Sequence, residues 1–362
     1  MTDPAAGFSH SYSEARARFL AACDRAAVPV QSHPHPLPGR DGEPLAMDVA
    51  RYGAADARAV LILSSACHGV EGYCGSGAQV ALLSDGALHA AADKACVALL
   101  YIHALNPYGF SWWRRVTQEN VDLNRNFQDF SRPLPANTAY AEIAPLLLPP
   151  AWPPGPDIVQ ATERFLAERG MKAFQAAVTA GQYDHPQGLF FGGQAPTWSN
   201  TTLRTVLRDH GQRCARLGWI DFHTGLGPSG HGERIFAGDD DPVALARTKA
   251  WWGSEVTSIY DGSSTSAKLT GLMWMSTATE CPQATYTGIA MEYGTVPTTE
   301  VIEAMRGEQW LQLHPDAPAA QAQAIKRRMR DAFYTDTPEW KRAIVEQAQA
   351  AALQGVAGLA AG

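Results

Sequence analysis

The sequence predicts an α/β fold in which a mixed, mostly parallel central sheet is flanked by helices. Two apolar runs, at 59–65 and 96–103, lack the alternation of half-exposed strands and are typical of strands buried on both faces. Helical patterns lie between such runs, an order that favours helices on both faces of one sheet. The chain has 362 residues, 46% of them hydrophobic and 18% charged. This length and composition allow one large core, so we expect a single domain over residues 1–362.

The first hundred residues alternate between helical and strand patterns. A helix is expected at 12–27, where Phe19 and Leu20 share the apolar side, and another at 78–83 after a Gly-Ser-Gly tripeptide. The expected strands are 46–52, 59–65 and 96–103. The strand at 59–65 is followed by a polar, glycine-rich loop.

An insertion around 130–200 carries most of the proline. Residues 133–156 are proline-rich and are expected to be irregular. The helices expected after them are 157–169, 171–180 and 199–217. Between these helices, the segment Gly-Leu-Phe-Phe-Gly-Gly at 188–193 has two interpretations. It either folds over a functional site or packs as a hydrophobic plug beneath a loop.

The C-terminal region, 300–356, is expected to be helical. Helices at 318–333 and 338–353 begin next to prolines, which suit the first turn of a helix. Residues 347–362 consist mostly of residues with small side chains, and we expect this tail to fray.

Charge and targeting signals limit the partners of the chain. The net charge is −7, the pI is about 5.9, and no block of Lys and Arg stands out. This excludes a nucleic-acid or anionic-membrane partner on electrostatic grounds. No signal peptide is recognisable, and no apolar run approaches the ~18 residues of a membrane span. Six cysteines without C-x-x-C spacing suggest free thiols, and the cytoplasm is the expected location.

The most informative motif is His-Gly-Val-Glu at 68–71, directly after the strand at 59–65. A histidine and a carboxylate three residues apart at a strand end can reach one metal ion from the same turn. Alone, H-x-x-E is a weak signal, because a single histidine is more often a hydrogen-bonded loop or core residue. Two later segments, Asp-Phe-His at 221–223 and Ala-Met-Glu-Tyr at 290–293, add a second imidazole and a spare carboxylate. This is the donor set of a catalytic zinc site with an open coordination position.

A longer motif, Val-Asp-Leu-Asn-Arg-Asn-Phe at 121–127, follows Asn-Pro-Tyr-Gly-Phe at 106–110 and the pair Arg114 and Arg115. In their order and residue sequence these motifs resemble those of the M14 zinc carboxypeptidase superfamily. The residue sequences are most similar to those of a bacterial branch of it, the DUF2817 family. The resemblance covers about two thirds of the chain. Tyr108 stands where the superfamily carries an aspartate.

The resemblance implies a carboxypeptidase-like fold with one zinc ion per chain. His68, Glu71 and His223 would bind the zinc, which leaves a fourth position for water. Glu292 would act as the general base that takes a proton from this water. Asp122 would accept the other N–H of His68 and so orient the imidazole.

Four further residues match the substrate-binding part of the superfamily pattern. Arg115 would stabilise the oxyanion formed during attack on the carbonyl, and Arg114 is the alternative for this role. Asn124 and Arg125 match the pair that grips the terminal carboxylate of the substrate, which a guanidinium can bind through two parallel hydrogen bonds.

These assignments lead to three hypotheses. The first is a zinc-dependent peptidase or amidase that removes a residue bearing a free carboxylate. The second is an acyl-amino-acid deacylase of the aspartoacylase or succinylglutamate desuccinylase type. The third is a catalytically silent zinc-binding protein, against which the presence of Glu292 speaks. The long insertion after Phe127 mildly favours a peptide over a small acyl-amino-acid substrate. The sequence leaves the oligomeric state open.

Overall fold

The apolar runs predicted as strands form the centre of a seven-stranded sheet in the computed structural model, which describes residues 4–361. The strands are β1 (Val30–Pro38), β2 (Pro44–Tyr52), β3 (Ala59–Ser65), β4 (Val97–His103), β5 (Arg216–Ser229), β6 (Gly232–Phe236) and β7 (Thr285–Gly294). Their spatial order is β1-β2-β4-β3-β5-β7-β6. The four strands β4, β3, β5 and β7 are parallel, and antiparallel strands complete both edges. The predicted fold class, a mixed sheet flanked by helices, is confirmed.

Helices fill most of the connections between these strands. They are α1 (Tyr12–Arg25), α2 (Gly72–Leu83), α3 (Gly86–Ala95), α4 (Pro107–Ser111), α5 (Thr138–Leu147), α6 (Pro156–Thr179), α7 (Trp198–Gly211), α8 (Pro242–Trp252), α9 (Ser276–Glu280), α10 (Thr298–Leu313), α11 (Ala319–Phe333) and α12 (Pro338–Ala361). Several begin at side-chain caps, which satisfy backbone N–H groups that the first turn leaves free. Ser11 caps α1, Asp85 caps α3 and Asp241 caps α8.

The two faces of the sheet are covered differently. One face packs against α1, α2, α3 and α12, with Leu61, Leu63 and Phe222 among the buried residues of this layer. On the other face, α7 covers the central strands through residues such as Leu203 and Val206. Over β5, β7 and β6 this second face is covered by the loop between α8 and α9 rather than by a helix. Because a loop stands where a helix could pack, a cavity remains above these three strands.

In the first two thirds of the chain, one element was not expected and two expectations need correction. The edge strand β1 was not predicted; its prolines are tolerated because an edge strand does not need every N–H in a ladder. Residues 133–156 are not irregular throughout, since α5 forms there despite Pro145 and buries Tyr140, Ile143 and Leu147 at helical spacing. Helix α7 ends at Gly211 rather than at 217, because β5 begins at Arg216.

The fraying predicted for the C-terminal tail is wrong. Helix α12 continues to Ala361, and its small residues allow close packing rather than disorder. A Cβ atom on Gly358 would lie 2.2 Å from the Trp251 ring, so only glycine fits this contact. Leu359 is fully buried in the core layer beneath the sheet. The pattern of small side chains therefore marks a tightly packed helix.

The cysteines and the apolar character of the helices bear on where the protein could function. All six cysteines are free thiols, and only Cys96 among them is exposed. None of the helices within residues 4–361 combines the length and apolar character needed to cross a bilayer. The cellular location stays a prediction.

The packing of α12 predicts unequal effects for two leucines of the same helix. Leu359→Ala should destabilise the protein by about 2–5 kcal/mol, because it removes a fully buried side chain and leaves a cavity. Leu353 is 37% exposed, so Leu353→Ala should change the free energy of unfolding by less than about 0.5 kcal/mol. Urea unfolding of both variants measures the difference. Equal, small effects would mean that the end of α12 contributes nothing to stability.

Candidate active site

The candidate site lies where parallel strands β3, β5 and β7 end. In sheets of this kind the carboxyl ends of the strands form the crevice where ligands bind. His223 and Glu292 are direct partners in the register of β5 and β7. His68 follows the end of β3, whose last residue, Ser65, pairs with Phe222 next to His223. The register thus brings three residues from distant parts of the sequence to one edge of the sheet.

The loop that carries His68 and Glu71 is held by the neighbouring chain segment. Backbone N–H groups of Gly69 and Val70 donate to the carbonyls of Arg115 and Arg114, at 3.0 and 2.8 Å. A Cβ atom on Gly69 would lie 2.1 Å from the backbone of Gly109. Glycine is therefore required at this position of the His-Gly-Val-Glu motif. The close backbone contact fixes the short 3₁₀ turn on which Glu71 lies.

Three donor groups converge from these elements and form what we call the donor cluster: His68, Glu71 and His223. All three are buried, and their candidate ligand atoms lie within 4.8 Å of one another. One carboxylate oxygen of Glu71 lies 2.9 Å from Nδ1 of His68, and the other lies 3.0 Å from Nδ1 of His223. The two Nδ1 atoms are 3.3 Å apart. Two imidazole nitrogens and a carboxylate that face one point form a donor set suited to a divalent metal ion.

Each histidine of the donor cluster is bound from behind by a carboxylate. Nε2 of His68 lies 3.2 Å from Asp122, and Nε2 of His223 forms a short hydrogen bond with Asp221. Asp221 in turn accepts a 2.6 Å hydrogen bond from the Ser64 hydroxyl. A carboxylate on the outer nitrogen fixes the tautomer and leaves Nδ1 free as a ligand, as at His223. The outer nitrogen of His68 contacts both Asp122 and Arg115, whose Nη2 lies 2.9 Å away. The structure places Asp122 in contact with His68 and Arg115.

Asp221 is the functional residue that sequence reasoning missed. Its signal was present, since Asp221 and His223 are two residues apart on a strand and so share one face of the sheet. Without the structure, however, nothing shows whether the Asp221 carboxylate binds His223, binds another side chain or is exposed to water.

The electrostatics of the cluster follow from burial and close opposite charges. Burial alone would raise the pKa of Glu71, but His68, His223 and Arg115 hold it below its usual value. Burial would lower the pKa of His223, yet Asp221 and Glu71 raise it well above its ordinary value. The proton on the His223 imidazole is therefore stabilised by the carboxylates around it. A bound cation would take the place of this proton and release it.

Glu292 lies beside His223 in the sheet and lines the cavity. One of its carboxylate oxygens accepts a 3.0 Å hydrogen bond from the backbone N–H of Leu226. Burial, reinforced by the negative charge of Glu71, raises the pKa of Glu292 to about 8. A carboxyl group in this state exchanges its proton near neutral pH, which is the property required of a general base.

The two arginines considered for the oxyanion role occupy different places. Arg115 reaches into the site, where it donates to Glu71 at 2.7 Å and to Asp122 at 3.2 Å. Arg114 is buried away from the cluster and forms an ion pair with Glu308 at 3.2 Å. Of the two, only Arg115 lines the cavity. The geometry therefore favours Arg115 as the arginine available to a substrate.

Asn124 and Arg125 line the same cavity, close to Arg115. The Asn124 side-chain oxygen accepts a 3.1 Å hydrogen bond from the backbone of Met273. Nε and Nη2 of Arg125 both donate to the carbonyl of Thr179 at the end of α6, and Nη1 donates to the carbonyl of Asn124. Each terminal nitrogen keeps a second hydrogen for a ligand. The insertion thus orients the guanidinium directly.

The aromatic segment at 188–193 also reaches the site. The guanidinium carbons of Arg115 and Arg125 lie 5.2 and 5.4 Å from the centre of the buried Phe190 ring. Phe190 lines the cavity and, with Leu189, also belongs to a buried apolar cluster that includes Tyr140 and Met305. Both interpretations of this segment therefore describe part of its packing.

A second group, Cys67, Asp221 and His223, also lies within 4.8 Å. It stands behind His223 rather than in front of it, since Asp221 binds the outer nitrogen of that imidazole. Burial raises the pKa of the Cys67 thiol well above its usual value, which keeps the sulfur protonated and disfavours it as a ligand. The donor cluster is therefore the stronger metal-binding candidate among residues 4–361.

The donor cluster opens into a cavity of about 120 Å³. Its polar end contains the predicted site residues His68, Arg115, Asn124, Arg125, His223 and Glu292. Asp122 and Glu71 lie behind this surface, in contact with Arg115. The structure therefore brings all eight residues predicted for the site into one neighbourhood.

Comparisons with solved structures found distant similarities. The fold is similar to that of a metallo-carboxypeptidase from Burkholderia cenocepacia, with 9% identity, a TM-score of 0.40, and coverage of 90% of this chain and 69% of the other. Bovine thrombin-activatable fibrinolysis inhibitor shares 10% identity at a TM-score of 0.45, with 93% and 98% covered. Murein-tripeptide amidase MpaA from Escherichia coli O157 shares 14% identity at a TM-score of 0.36, with 82% and 91% covered.

Comparison at the level of sequence is more specific. No curated protein matches the chain. A profile of the DUF2817 family, described as a protein of unknown function, matches residues 8–347. This range contains every residue of the candidate site. Because the match covers nearly the whole chain, this protein belongs to the DUF2817 family.

Proposed function

We propose that this protein is a zinc-dependent hydrolase that cleaves an amide bond next to a free carboxylate. The observation that carries the proposal is the orientation of the donor cluster. Nδ1 of His68 and Nδ1 of His223 face the Glu71 carboxylate, while both outer nitrogens contact buried carboxylates. A structural zinc site would close its shell with a fourth protein ligand, whereas three ligands leave a position open.

Zinc bound by His68, Glu71 and His223 would supply a Lewis acid that activates water and polarises the scissile carbonyl. The protein has to provide the proton transfers. Glu292 lies beside the cluster with a pKa raised to about 8 in the absence of metal. It is placed to accept a proton from the attacking water and to deliver it to the leaving amine.

Arg115 would stabilise the negative charge that develops on the carbonyl oxygen. Its guanidinium is held by Glu71 and Asp122, so it is oriented before a substrate arrives. Preorganised positive charge of this kind lowers the barrier because it needs no rearrangement during the reaction. Its stacking on Phe190 keeps water away from one side of the group.

Asn124 and Arg125 would bind the free carboxylate of the substrate. Arg125 is buried in the cavity wall, where a carboxylate would meet its remaining N–H groups with little competition from water. Anchoring the substrate at this end would hold the scissile carbonyl near the donor cluster.

The first functional prediction concerns the metal. The double variant His68→Ala, His223→Ala should lose zinc, because a single carboxylate cannot hold the ion alone. Wild type should contain about one zinc ion per chain by elemental analysis. A control double variant at His185 and His231, which lie outside the donor cluster, should keep the metal. Full zinc content in a folded His68→Ala, His223→Ala protein would refute the metal assignment.

The second prediction isolates the proton transfer. Glu292→Gln keeps the shape of the side chain and its hydrogen bond from Leu226 but cannot accept a proton. Turnover should fall about 10²–10⁴-fold while zinc content is unchanged. Glu300→Gln, on the exposed first turn of α10, is the matched control. Normal turnover by Glu292→Gln would assign the base to another group.

The third prediction concerns the free carboxylate. Acylated dipeptides should be hydrolysed as free acids in preference to their C-terminal amides. Arg125→Ala should abolish this preference, because losing a buried charged hydrogen bond costs about 2–5 kcal/mol. Arg125→Lys retains the charge without the planar fork and should recover only part of it. Equal hydrolysis of both forms by wild type would show that the enzyme is a general amidase or endopeptidase.

A further inference from the structure

A chain of hydrogen bonds runs from the cavity wall to the donor cluster along one face of the sheet. Trp219, Asp221 and His223 alternate along β5, so their side chains share this face. Ser64 of β3 is the direct partner of Asp221 in the register of the two strands. All four side chains are buried. Strand pairing therefore places a neutral hydroxyl beside the carboxylate that binds the outer nitrogen of His223.

The chemistry of the groups fixes the direction of each hydrogen bond in this chain. The indole Nε1–H of Trp219 can only donate, and it lies 2.7 Å from the Ser64 hydroxyl oxygen. The single hydrogen of that hydroxyl is therefore available to Asp221, which accepts it at 2.6 Å. This bond uses Oδ1 of Asp221, while Oδ2 of the same carboxylate binds Nε2 of His223. We call this sequence of contacts the Trp219–Ser64–Asp221 relay.

The relay fixes the orientation of the carboxylate on which His223 depends. Because it is held at Oδ1, the Asp221 carboxylate cannot rotate away from the imidazole without losing a buried hydrogen bond. It keeps the hydrogen of His223 on Nε2 and so directs the Nδ1 lone pair towards Glu71, 3.0 Å away. Hydrogen bonds in series also polarise one another, which strengthens each of them.

The two histidines of the donor cluster are supported by different chemistry. Behind His68, the Asp122 carboxylate accepts a 3.2 Å hydrogen bond from the charged Arg115. Behind His223, the ion pairs that Asp221 forms among residues 4–361 involve His223 alone. The Ser64 hydroxyl is therefore the side-chain group that anchors Asp221 to the neighbouring strand. Because this donor is neutral, its removal leaves no unpaired buried cation, and its effect can be measured at the metal site.

We propose that Ser64 and Trp219 are positioning residues for the metal ion, which act on His223 through Asp221. Their role is to hold His223 in the tautomer and orientation in which Nδ1 is a ligand. The inference rests on the proposed function, because it requires the donor cluster to bind zinc. It assigns a task to two residues outside the set that binds the metal or the substrate.

The test measures zinc binding by the full chain in competition with a chromogenic chelator, with no substrate present. Ser64→Ala removes one hydrogen bond to Asp221 and should raise the Kd for zinc about 2–10-fold. Ser65→Ala is the matched control, because Ser65 is also buried on β3 but donates to Gln79 on the opposite face, at 2.8 Å. It should leave the Kd unchanged. An equal loss in Ser65→Ala would show a general loosening of β3 and would overturn the proposal.

A double-mutant cycle separates action through Asp221 from any other effect of Ser64. Asp221→Asn keeps the shape of the side chain but removes its charge, and should raise the Kd for zinc about 10–100-fold. If Ser64 acts through this carboxylate, adding Ser64→Ala to Asp221→Asn should change the Kd by less than about twofold. Full additivity of the two effects would contradict the relay.

The outer end of the relay is tested by Trp219→Phe. This change keeps a large aromatic side chain in the cavity wall but removes the indole donor, so the Kd for zinc should rise by a smaller factor than in Ser64→Ala. Trp252→Phe is the control, because the Trp252 indole donates to the Ala351 carbonyl at 3.0 Å and takes no part in the relay. An unchanged Kd in Trp219→Phe would overturn the role of Trp219.

The outcomes separate this inference from the proposed function. A Kd that depends on Ser64 and Asp221 as described, in a wild type that hydrolyses no acylated dipeptide, would support the relay and refute the hydrolase. Equal zinc binding by wild type and Ser64→Ala would overturn the relay and leave the hydrolase in place. A wild type that binds no zinc would overturn both.

Discussion

The site depends on the two carboxylates that bind the outer nitrogens of its histidines. Asp122 and Asp221 hold Nε2 of His68 and of His223, which turns both Nδ1 atoms towards Glu71. Without these contacts the two imidazoles could rotate, whereas Glu71 would still accept hydrogen bonds from Arg115 and from the backbone of Thr224. The remaining groups are arranged around this constraint, since Arg115 connects Asp122 to Glu71 and so links the back of the cluster to its front.

The parallel pairing of β5 and β7 gives the site its second half. It sets Glu292 beside His223, so a carboxyl group with a raised pKa lies next to the donor cluster. The same face of these strands lacks a covering helix. The loop between α8 and α9, which is bound to Glu233, covers a cavity there. The donor cluster and the cavity therefore share one structural origin, the face of β5, β7 and β6 that a loop covers instead of a helix.

The sequence was a good guide to the buried strands and a poor one to the surface elements. The apolar run at 59–65 coincides with β3, because a strand buried on both faces needs apolar residues at nearly every position. Strand β1 and helix α5 escaped prediction, since proline patterns predict irregular chain while tertiary packing overrides them. The small residues at the end of α12 suggested a frayed tail, since the sequence does not show what they contact. In the structure they pack closely against Trp251 and the core.

For the site, the sequence by itself determined which residue types could bind a metal and take up a proton, because H-x-x-E at a strand end and the later His223 and Glu292 carry that chemistry locally. Only the tertiary structure decided which of Arg114 and Arg115 faces the cluster, and that Asp221 binds His223. It alone also formed the cavity into which the donor cluster opens. Such choices depend on strand register and on which loops cover a face, and neither is encoded in the spacing of a motif.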